Sequence, residues 1–266
     1  MRLSRVKYYP AGNRQYETPL FFIHGAWHDK WCWEENFVPF FSKNGFDVYA
    51  ITLPGHDGNK NDRKINLQTI GTYVKALEEE LAELTETPVL LGHSMGGYIL
   101  QKYLEKYPAK GYVLLASAPP SGIFAAVTRF FRKYPLAFLQ SVFSLNLYHL
   151  VADREKSVNM FFSRTTKATL LEKYTSSLGN ESLLAFVGMM FPGNIRINYH
   201  TEVPGLAIAA ENDNVINLQE QQEIAGFYRI ALKTIEKSSH DIMLDPEWEK
   251  AAGMILDWMK KEIRNL

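Results

Sequence analysis

The sequence predicts an α/β fold in which a mostly parallel central sheet is flanked by helices and carries one inserted helical cap. Three observations support this prediction. Short apolar runs of strand length alternate with amphipathic stretches of helical length in the first part of the chain, and the same alternation returns near its end. Such alternation is typical of parallel sheets covered on both faces. Between residues 119 and 200 the alternation stops, and phenylalanines are scattered among helix-forming residues.

Composition narrows the class of protein. The chain has 266 residues, of which 46% are hydrophobic and 22% charged, and its formal net charge is zero. Because no basic excess is available to neutralise phosphates, composition argues against a nucleic-acid partner. No apolar run approaches the thickness of a bilayer, and residues 1–7 lack the apolar core of a secretory signal. Cys32 is the only cysteine, which excludes an internal disulfide. We expect a cytoplasmic protein without a transmembrane segment.

The first strands and helices follow from hydrophobic spacing. Leu20–Ile23 is a compact apolar run that predicts a central strand. Residues 31–44 carry aromatic residues at near-helical spacing and are followed by a glycine, so they predict one helix. Asp47–Ile51 predicts the next strand, and turn residues make 53–58 a loop. Asn66 is a candidate N-cap for a helix that runs to about Leu84.

The rest of the core is predicted in the same way. The strands are expected at 89–91, 111–116, 205–210 and 232–235, and the helices at 97–107, 218–227 and 248–263. The intervening segment has no strand alternation and predicts several helices over the active edge of the sheet. We therefore assign residues 1–118 and 201–266 to the core and residues 119–200 to a helical cap. A helical subdomain that serves stability alone is the other interpretation of this segment.

The pentapeptide Gly92-His93-Ser94-Met95-Gly96 lies between a predicted strand and a predicted helix. A serine at the tip of such a tight turn is held in a strained backbone conformation. The turn leaves no room for side chains two positions before and after it, which glycine at 92 and 96 satisfies. The Ser94 hydroxyl then projects beyond the strand ends, where the amides that begin the next helix favour negative charge.

A second turn is expected to meet the Ser94 turn. His24-Gly25-Ala26-Trp27 follows the strand at Leu20–Ile23 directly. Both turns therefore lie at the carboxyl ends of strands in one parallel sheet, which is the edge where such sheets form their sites.

The pattern resembles the α/β-hydrolase family over nearly the whole chain. The resemblance implies a nucleophilic serine, then an acid, then a histidine in chain order, and the turn at 24–27 also resembles plant-type methylesterases and hydroxynitrile lyases. Little chain precedes Leu20, so the family's opening antiparallel strands are expected to be shortened or partly missing. The matching segments, in family order, are His24-Gly25-Ala26-Trp27, Leu53-Pro54-Gly55-His56, Gly92-His93-Ser94-Met95-Gly96-Gly97, Ala210-Glu211-Asn212-Asp213-Asn214-Val215-Ile216 and Ser239-His240-Asp241.

Ser94 is the candidate nucleophile, and it needs a base within hydrogen-bonding reach. His240 is the candidate base, because imidazole titrates near neutral pH and its loop follows a strand-like run that ends at the same sheet edge. The other six histidines are weaker candidates. His24 and His93 belong to turns, His56 lies in a glycine-rich loop that we interpret as structural, and no context distinguishes His28, His149 and His200.

The third member of a catalytic triad holds the imidazole in one tautomer and stabilises its charged form. Asp213 matches the family's acid position, although an Asp-Asn sequence taken alone is more typical of a turn. Glu211 remains the alternative acid. Asp241 is disfavoured because side chains of adjacent residues such as His240 and Asp241 point apart.

Backbone amides are the expected donors to an oxyanion. The geometry of the turn assigns one donor to Met95, the residue after the nucleophile. The resemblance assigns the second to Ala26, with Trp27 as the alternative. The side chains of Trp27 and Met95 either line the substrate pocket or pack in the core.

No metal site and no cofactor are expected, because the histidines are scattered and no phosphate-binding loop occurs.

The function hypothesis is a serine hydrolase that cleaves a small-molecule carboxylic ester through an acyl-enzyme on Ser94. The aromatic residues of the cap suggest a monoacylglycerol or lysolipid-like ester, and hence a rate maximum at medium acyl-chain length. Fold alone does not fix the reaction. Thioesterases, C–C bond hydrolases, hydroxynitrile lyases and cofactor-free peroxidases remain alternatives, as does a non-catalytic receptor on the same fold. The oligomeric state is left open.

Overall fold

A seven-stranded sheet forms the centre of the molecule. The computed structural model describes residues 5–56, 60, 63–193, 195–196 and 203–266. The strand order is β1-β3-β2-β4-β5-β6-β7; β1 runs antiparallel to β3, and every other neighbouring pair is parallel. This confirms the predicted fold class. The strands are β1 (Val6–Tyr9), β2 (Leu20–Ile23), β3 (Val48–Ile51), β4 (Val89–His93), β5 (Gly111–Leu115), β6 (Gly205–Ala210) and β7 (Ala231–Ile235).

Helices cover the sheet, and β2, β4 and β5 are buried along their whole length. Short 3₁₀ segments occupy Arg63–Leu67, Leu147–Leu150 and Ile242–Leu244. No helix among the described residues combines the length and the apolarity that crossing a bilayer requires. The helices are α1 (Trp31–Glu34), α2 (Phe37–Lys43), α3 (Ile70–Ala82), α4 (Met95–Leu104), α5 (Phe124–Lys133), α6 (Pro135–Ser144), α7 (Arg154–Phe161), α8 (Ala168–Ser177), α9 (Leu183–Met189), α10 (Leu218–Tyr228) and α11 (Trp248–Glu262).

The single helix predicted over residues 31–44 is wrong, because the chain breaks there into α1 and α2. Asn36, at the break, has φ −131° and ψ −54°, outside the helical region. Its side-chain Nδ2 donates to the Met243 carbonyl at 2.9 Å. A long-range hydrogen bond therefore competes with helix continuation at a residue of modest helix propensity.

The predicted N-cap at Asn66 is also wrong. Helix α3 begins after Thr69, whose hydroxyl accepts from the Thr72 N–H at 3.1 Å, while the Thr72 hydroxyl accepts from the Thr69 N–H at 2.8 Å. This reciprocal capping box satisfies two amide donors that the helix cannot. The Asn66 side chain instead accepts from the Leu183 N–H at 2.8 Å and donates to the Leu145 carbonyl at 2.7 Å.

Helices α5 to α9 occur in the chain between β5 and β6, where the helical cap is predicted, and we call them the helical insertion. The insertion lies over the carboxyl ends of the strands. The Gly179 N–H donates to the Trp27 carbonyl at 2.8 Å, and the Asp241 N–H donates to the Phe161 carbonyl at 2.9 Å. The loops after β2 and β7 are thus both bound to the insertion. Of the residues singled out from the sequence, Asp57, Gly58 and His200 lie outside the described residues.

Candidate active site

The turn between β4 and α4 holds Ser94 in a strained conformation. Ser94 has φ 52° and ψ −119°, which few non-glycine residues adopt. A Cβ at Gly92 would lie 2.6 Å from the Gly96 carbonyl oxygen, and one at Gly96 would lie 2.3 Å from the Ile23 carbonyl oxygen. Both positions therefore exclude any side chain, as the sequence predicts. The buried strand β4 and helix α4 on either side hold Ser94 in this strained conformation.

The turn after β2 packs directly against the Ser94 turn. A Cβ at Gly25 would lie 2.9 Å from both the Ser94 Cβ and the His93 Nδ1, so glycine permits this close approach. Trp27 has a positive φ of 62°, and its indole Nε1 donates to the Leu147 carbonyl of the insertion at 3.2 Å. The two turns expected to meet at this sheet edge therefore do so.

His240 lies between Ser94 and Asp213. Its Nε2 is 2.9 Å from the Ser94 Oγ, and its Nδ1 is 2.8 Å from the Asp213 Oδ2. All three residues are buried, with 9% of Ser94 exposed. Asp213 is itself fixed, because its Oδ1 accepts from the N–H groups of Val215 at 2.8 Å and Ile216 at 2.9 Å. An alcohol, an imidazole and a carboxylate from three distant parts of the chain are thus joined by hydrogen bonds.

Glu211, the alternative acid, points elsewhere. Its Oε2 accepts from the Lys237 N–H at 2.8 Å, and Glu211 is exposed directly after the buried end of β6. Between the two carboxylates left open by the sequence, the structure therefore places only Asp213 in hydrogen-bonding contact with His240.

A small apolar cavity of about 40 Å³ opens beside Ser94. It is bounded by the two turns, α5, α9 and the segment after Asp213. Ala26, Trp27 and Met95, the three other residues singled out from the sequence for this site, all line it. Its remaining wall is apolar and comes mostly from the insertion, including Ile123, Ala126, Val127, Phe130, Phe186 and Met189.

Residues 20–251 match the sequence profile described as the Alpha/beta hydrolase family. The chain belongs to the α/β-hydrolase family. The resemblance drawn from the five sequence segments is thereby confirmed.

Several relatives align with this α/β hydrolase, and some of them carry names that refer to methylesterases. Salicylic acid-binding protein 2 of Nicotiana tabacum is 36% identical over 106 residues, which are 38% of this chain and 40% of that protein. Putative methylesterase 15, chloroplastic, of Arabidopsis thaliana is 34% identical over 97 residues, or 35% of this chain and 21% of that protein. Both matches therefore span less than half of the relative's length. Methylesterase 10 of Arabidopsis thaliana aligns over 251 residues at 25% identity, covering 84% of this chain and 85% of that protein.

Solved structures show the same fold at lower sequence identity. MenH from S. aureus superposes with a TM-score of 0.72 at 18% identity, covering 98% of this chain and 100% of that one. Polyneuridine aldehyde esterase superposes with a TM-score of 0.67 at 19% identity, covering 91% of this chain and 99% of that one. At such identities the similarity establishes the fold.

His28, for which the sequence gives no context, forms a buried pair with Asp241 in this α/β hydrolase. Its Nε2 donates to the Asp241 Oδ2 at 2.9 Å, and its Nδ1 donates to the Ala26 carbonyl at 2.7 Å. Since both nitrogens face acceptors, the ring is doubly protonated. Burial alone would lower the pKa of His28, but the Asp241 carboxylate raises it above the ordinary value. Burial opposes ionisation of Asp241 too, and His28 brings the pKa of that carboxyl below its usual range. The pair joins the turn after β2 to the His240 loop.

A second pair of this kind joins the core to the insertion. The His56 Nε2 donates to the Glu181 Oε2 at 2.9 Å, and the Tyr73 hydroxyl donates to the Glu181 Oε1 at 3.0 Å. Both His56 and Glu181 are buried. Burial would lower the pKa of His56, but Glu181 raises it. The structural role expected for His56 is thus that of an ion pair beneath the insertion.

Two other buried histidines are neutral for clear reasons. The His24 Nε2 accepts from the Leu53 N–H at 3.0 Å while its Nδ1 donates to the Gly25 carbonyl at 2.8 Å, and burial holds its pKa well below the ordinary value. Burial and the nearby His240 lower the pKa of His93 to about 3. The His93 Nε2 donates to the His240 carbonyl at 3.0 Å. Neither ring contacts the Ser94 hydroxyl in a hydrogen bond, so both orient loops.

His93, His240 and Asp241 bring three potential metal-binding atoms within 4.8 Å of one another. Their hydrogen bonds compete with metal binding. Both His240 nitrogens are engaged by Ser94 and Asp213, and Asp241 is bound by His28. The donor set therefore fits a hydrogen-bonded network better than a metal site.

Proposed function

We propose that this α/β hydrolase cleaves a small-molecule carboxylic ester through an acyl-enzyme on Ser94. The observation that carries the proposal is the pair of short contacts that His240 makes, one with the Ser94 hydroxyl and one with the Asp213 carboxylate. Relatives named as methylesterases support an ester as the substrate. In this proposal Asp213 fixes the tautomer of His240, and His240 acts as base and then as acid.

The reaction follows from the roles of the three side chains. The Ser94 Oγ attacks the carbonyl carbon while its proton passes to the His240 Nε2, and the carbonyl electrons form an oxyanion. The amides of Met95 and Ala26 stabilise that oxyanion, each contributing about 3–4 kcal/mol. The C–O bond then breaks, the alcohol leaves with the proton from His240, and water hydrolyses the acyl-enzyme by the reverse sequence.

We assign the helical insertion, residues 119–200, the role of a cap over the core formed by residues 1–118 and 201–266. Support comes from α5 and α9, whose side chains form most of the wall opposite Ser94. The ion pair of His56 with Glu181 fastens this cap to the core. A substrate larger than the cavity then enters only when α5 or α9 shifts.

The substrate is best described as an ester of a compact, apolar acid with a small alcohol such as methanol. The cavity of about 40 Å³ is far below the ~300 Å³ at which ordinary ligand pockets begin. A monoacylglycerol or lysolipid-like ester, suggested by the aromatic residues of the cap, needs room for a long chain. That alternative requires a larger displacement of the insertion, and chain-length dependence separates the two.

We expect the rate with p-nitrophenyl esters to decline from acetate and butyrate towards octanoate and decanoate. Replacing Phe130 by alanine removes a ring from the cavity wall and is expected to move the optimum to longer chains. The gain in kcat/KM for octanoate should be about tenfold, which corresponds to the burial of one or two methylene groups. Steady-state kinetics on the ester series measure both effects.

The matched control is Phe131→Ala on the same helix. Phe131 is 43% exposed and packs on Phe138 instead of the cavity, so its removal should leave the chain-length profile unchanged. A wild-type maximum at octanoate or decanoate would favour the lipid-like ester over the compact one.

Replacing Asp213 by asparagine should lower kcat by roughly 10³- to 10⁴-fold, because an amide NH₂ facing Nδ1 imposes the wrong tautomer on His240. Asparagine keeps an oxygen that can accept from the amides of Val215 and Ile216, so the loop should keep its shape. The matched control is Glu211→Gln, which should leave kcat within about twofold of the wild type. A large loss in Glu211→Gln with little in Asp213→Asn would reverse the assignment.

A further inference from the structure

Exposed apolar side chains are concentrated on the helical insertion. Twelve large hydrophobic side chains are exposed among the described residues, and nine of them lie between residues 124 and 191. Monomeric soluble proteins rarely expose large contiguous apolar patches, and such a patch usually marks a contact surface.

Helix α6 presents the clearest apolar face. Leu136, Leu139 and Phe143 follow one another at helical spacing and are 81%, 42% and 84% exposed. The helix contains no charged residue. A face of this composition on the outside of a helix is unfavourable in water and favourable in an apolar environment.

Helices α5 and α9 extend this face. The Ile123 N–H donates to the Met189 carbonyl, which places the end of α9 beside the start of α5. The exposed rings of Phe124 and Phe191 stack there with centroids 6.1 Å apart. Near the end of α6 and the start of α9, the Asn66 side chain donates to the Leu145 carbonyl and accepts from the Leu183 N–H. We call the outer sides of α5, α6 and α9 the docking face.

The docking face carries two exposed basic side chains, Arg132 and Lys133, whereas Arg129 of α5 is paired with Glu220 of α10. None of its three helices contains aspartate or glutamate, and the sequence has no acidic residue from Lys106 to Ala152. Arg132 and Lys133 are exposed at the junction of α5 and α6. In a chain whose formal net charge is zero, this region is therefore locally basic.

We infer that the docking face binds the surface of membranes that contain anionic phospholipids. Exposed leucine and phenylalanine side chains can enter the boundary between headgroups and acyl chains, while Arg132 and Lys133 meet anionic headgroups. A second copy of the chain is a poorer partner for the same face. Symmetric pairing would bring Arg132 and Lys133 of both copies to one interface, and no residue of α5, α6 or α9 supplies a carboxylate to pair with them.

Docking would place the cavity beside the bilayer. Helices α5 and α9 line the cavity with Ala126, Phe130, Phe186 and Met189, on the sides away from the docking face. An apolar ester partitions into membranes, so a docked molecule would meet it at the cap. This inference goes beyond the proposed ester hydrolysis and does not depend on it, since binding to vesicles requires no turnover.

Co-sedimentation with vesicles tests the inference directly. We expect the protein to sediment with phosphatidylcholine vesicles that contain phosphatidylserine, and to be released as the salt concentration rises. Replacing Leu136 and Phe143 by serine should lower the partition coefficient roughly tenfold or more, since two apolar side chains no longer enter the bilayer. The matched control is Tyr107→Ser, an exposed aromatic residue of the core at 41% exposure, which should not change binding.

A second pair of variants isolates the charge. Arg132→Glu with Lys133→Glu should lower binding at least roughly tenfold. Lys260→Glu with Lys261→Glu makes the same change of net charge on α11, at exposed positions away from the insertion, and should have a much smaller effect. The Tm of each variant shows that it is folded.

Two outcomes would overturn the inference. One is a folded wild-type protein that does not sediment with phosphatidylserine vesicles, or whose binding survives both sets of changes. The other is a wild-type dimer that becomes monomeric in Phe143→Ser without any binding to vesicles. The latter result, measured by light scattering, would assign the face to contact with a second copy.

Discussion

Replacing Ser94 by alanine is expected to lower kcat/KM for esters by roughly 10⁴- to 10⁶-fold. The reason is that Ser94 offers the hydroxyl that lies 2.9 Å from the His240 Nε2 at the edge of the cavity. Without it no acyl-enzyme can form, and only slow attack by water remains. The fold should survive, because the strained backbone at this position tolerates alanine no worse than serine.

A fluorophosphonate probe gives a second measurement that does not depend on knowing the substrate. Wild-type protein should be labelled once per chain, and Ser94→Ala should not be labelled. Ser117→Ala is the matched control: this buried serine also lies beside the turn, but its hydroxyl bonds to Gln101 and the Ala118 carbonyl. It should retain labelling. Wild-type protein that never labels would instead support a receptor on the hydrolase fold.

The elements most predictable from sequence are those set by local constraints. The strands at Leu20–Ile23 and Gly205–Ala210 have the predicted bounds because each is a short, uninterrupted apolar run. The need for glycine at positions 92 and 96 is predictable from sequence, because the turn excludes any side chain there. The family's pattern of turns suggests three site residues, Ser94, Asp213 and His240. Their contact depends on the parallel sheet, which brings those turns to one edge.

What sequence reasoning missed depends on contacts between distant residues. The break between α1 and α2 reflects the bond from Asn36 to Met243. Thr69 and Asn66 are both residue types that cap helices. Thr69 caps α3, whereas the Asn66 side chain is hydrogen-bonded to the insertion. His28 and Asp241 are 213 positions apart, so neither residue alone indicates an ion pair. The one available signal was that both lie beside predicted site residues.

Replacing Asp241 by asparagine should destabilise the protein by about 3–5 kcal/mol, the usual loss when one partner of a buried ion pair is removed. His28 would keep its hydrogen bond to Ala26 but lose the carboxylate that stabilises its charge. Urea denaturation of wild type and variant measures the difference. Glu35→Gln is the control, since it removes an ion pair with Lys173 whose side chains are 27% and 57% exposed, and such a solvent-accessible pair is worth under about 1 kcal/mol.

The pH dependence of this difference follows from the two pKa shifts. Because the pKa of Asp241 is lowered in the folded state, its charge stabilises the fold above the unfolded carboxyl pKa of about 3.9. This stabilisation is lost as pH falls through the folded-state pKa of Asp241. Because the pKa of His28 is raised in the folded state, its charge contributes its full stabilisation below the unfolded imidazole pKa of about 6.5. This stabilisation is lost as pH rises through the folded-state pKa of His28. The loss in Asp241→Asn should therefore be greatest between about pH 4 and 6.5. A loss that stays the same at every pH at which the wild type is folded would contradict a charged pair.

A double variant separates stability from positioning. Replacing both His28 and Asp241 by leucine removes the charges together, and such replacements of buried ion pairs are often neutral or stabilising by about 1–4 kcal/mol. The pair also joins the Ala26 turn to the loop that carries His240. If it positions those loops, the double variant should regain stability over Asp241→Asn while kcat stays at least about tenfold below wild type. Recovery of both stability and kcat would show that the pair only fills the core, because apolar side chains would then hold the two loops equally well.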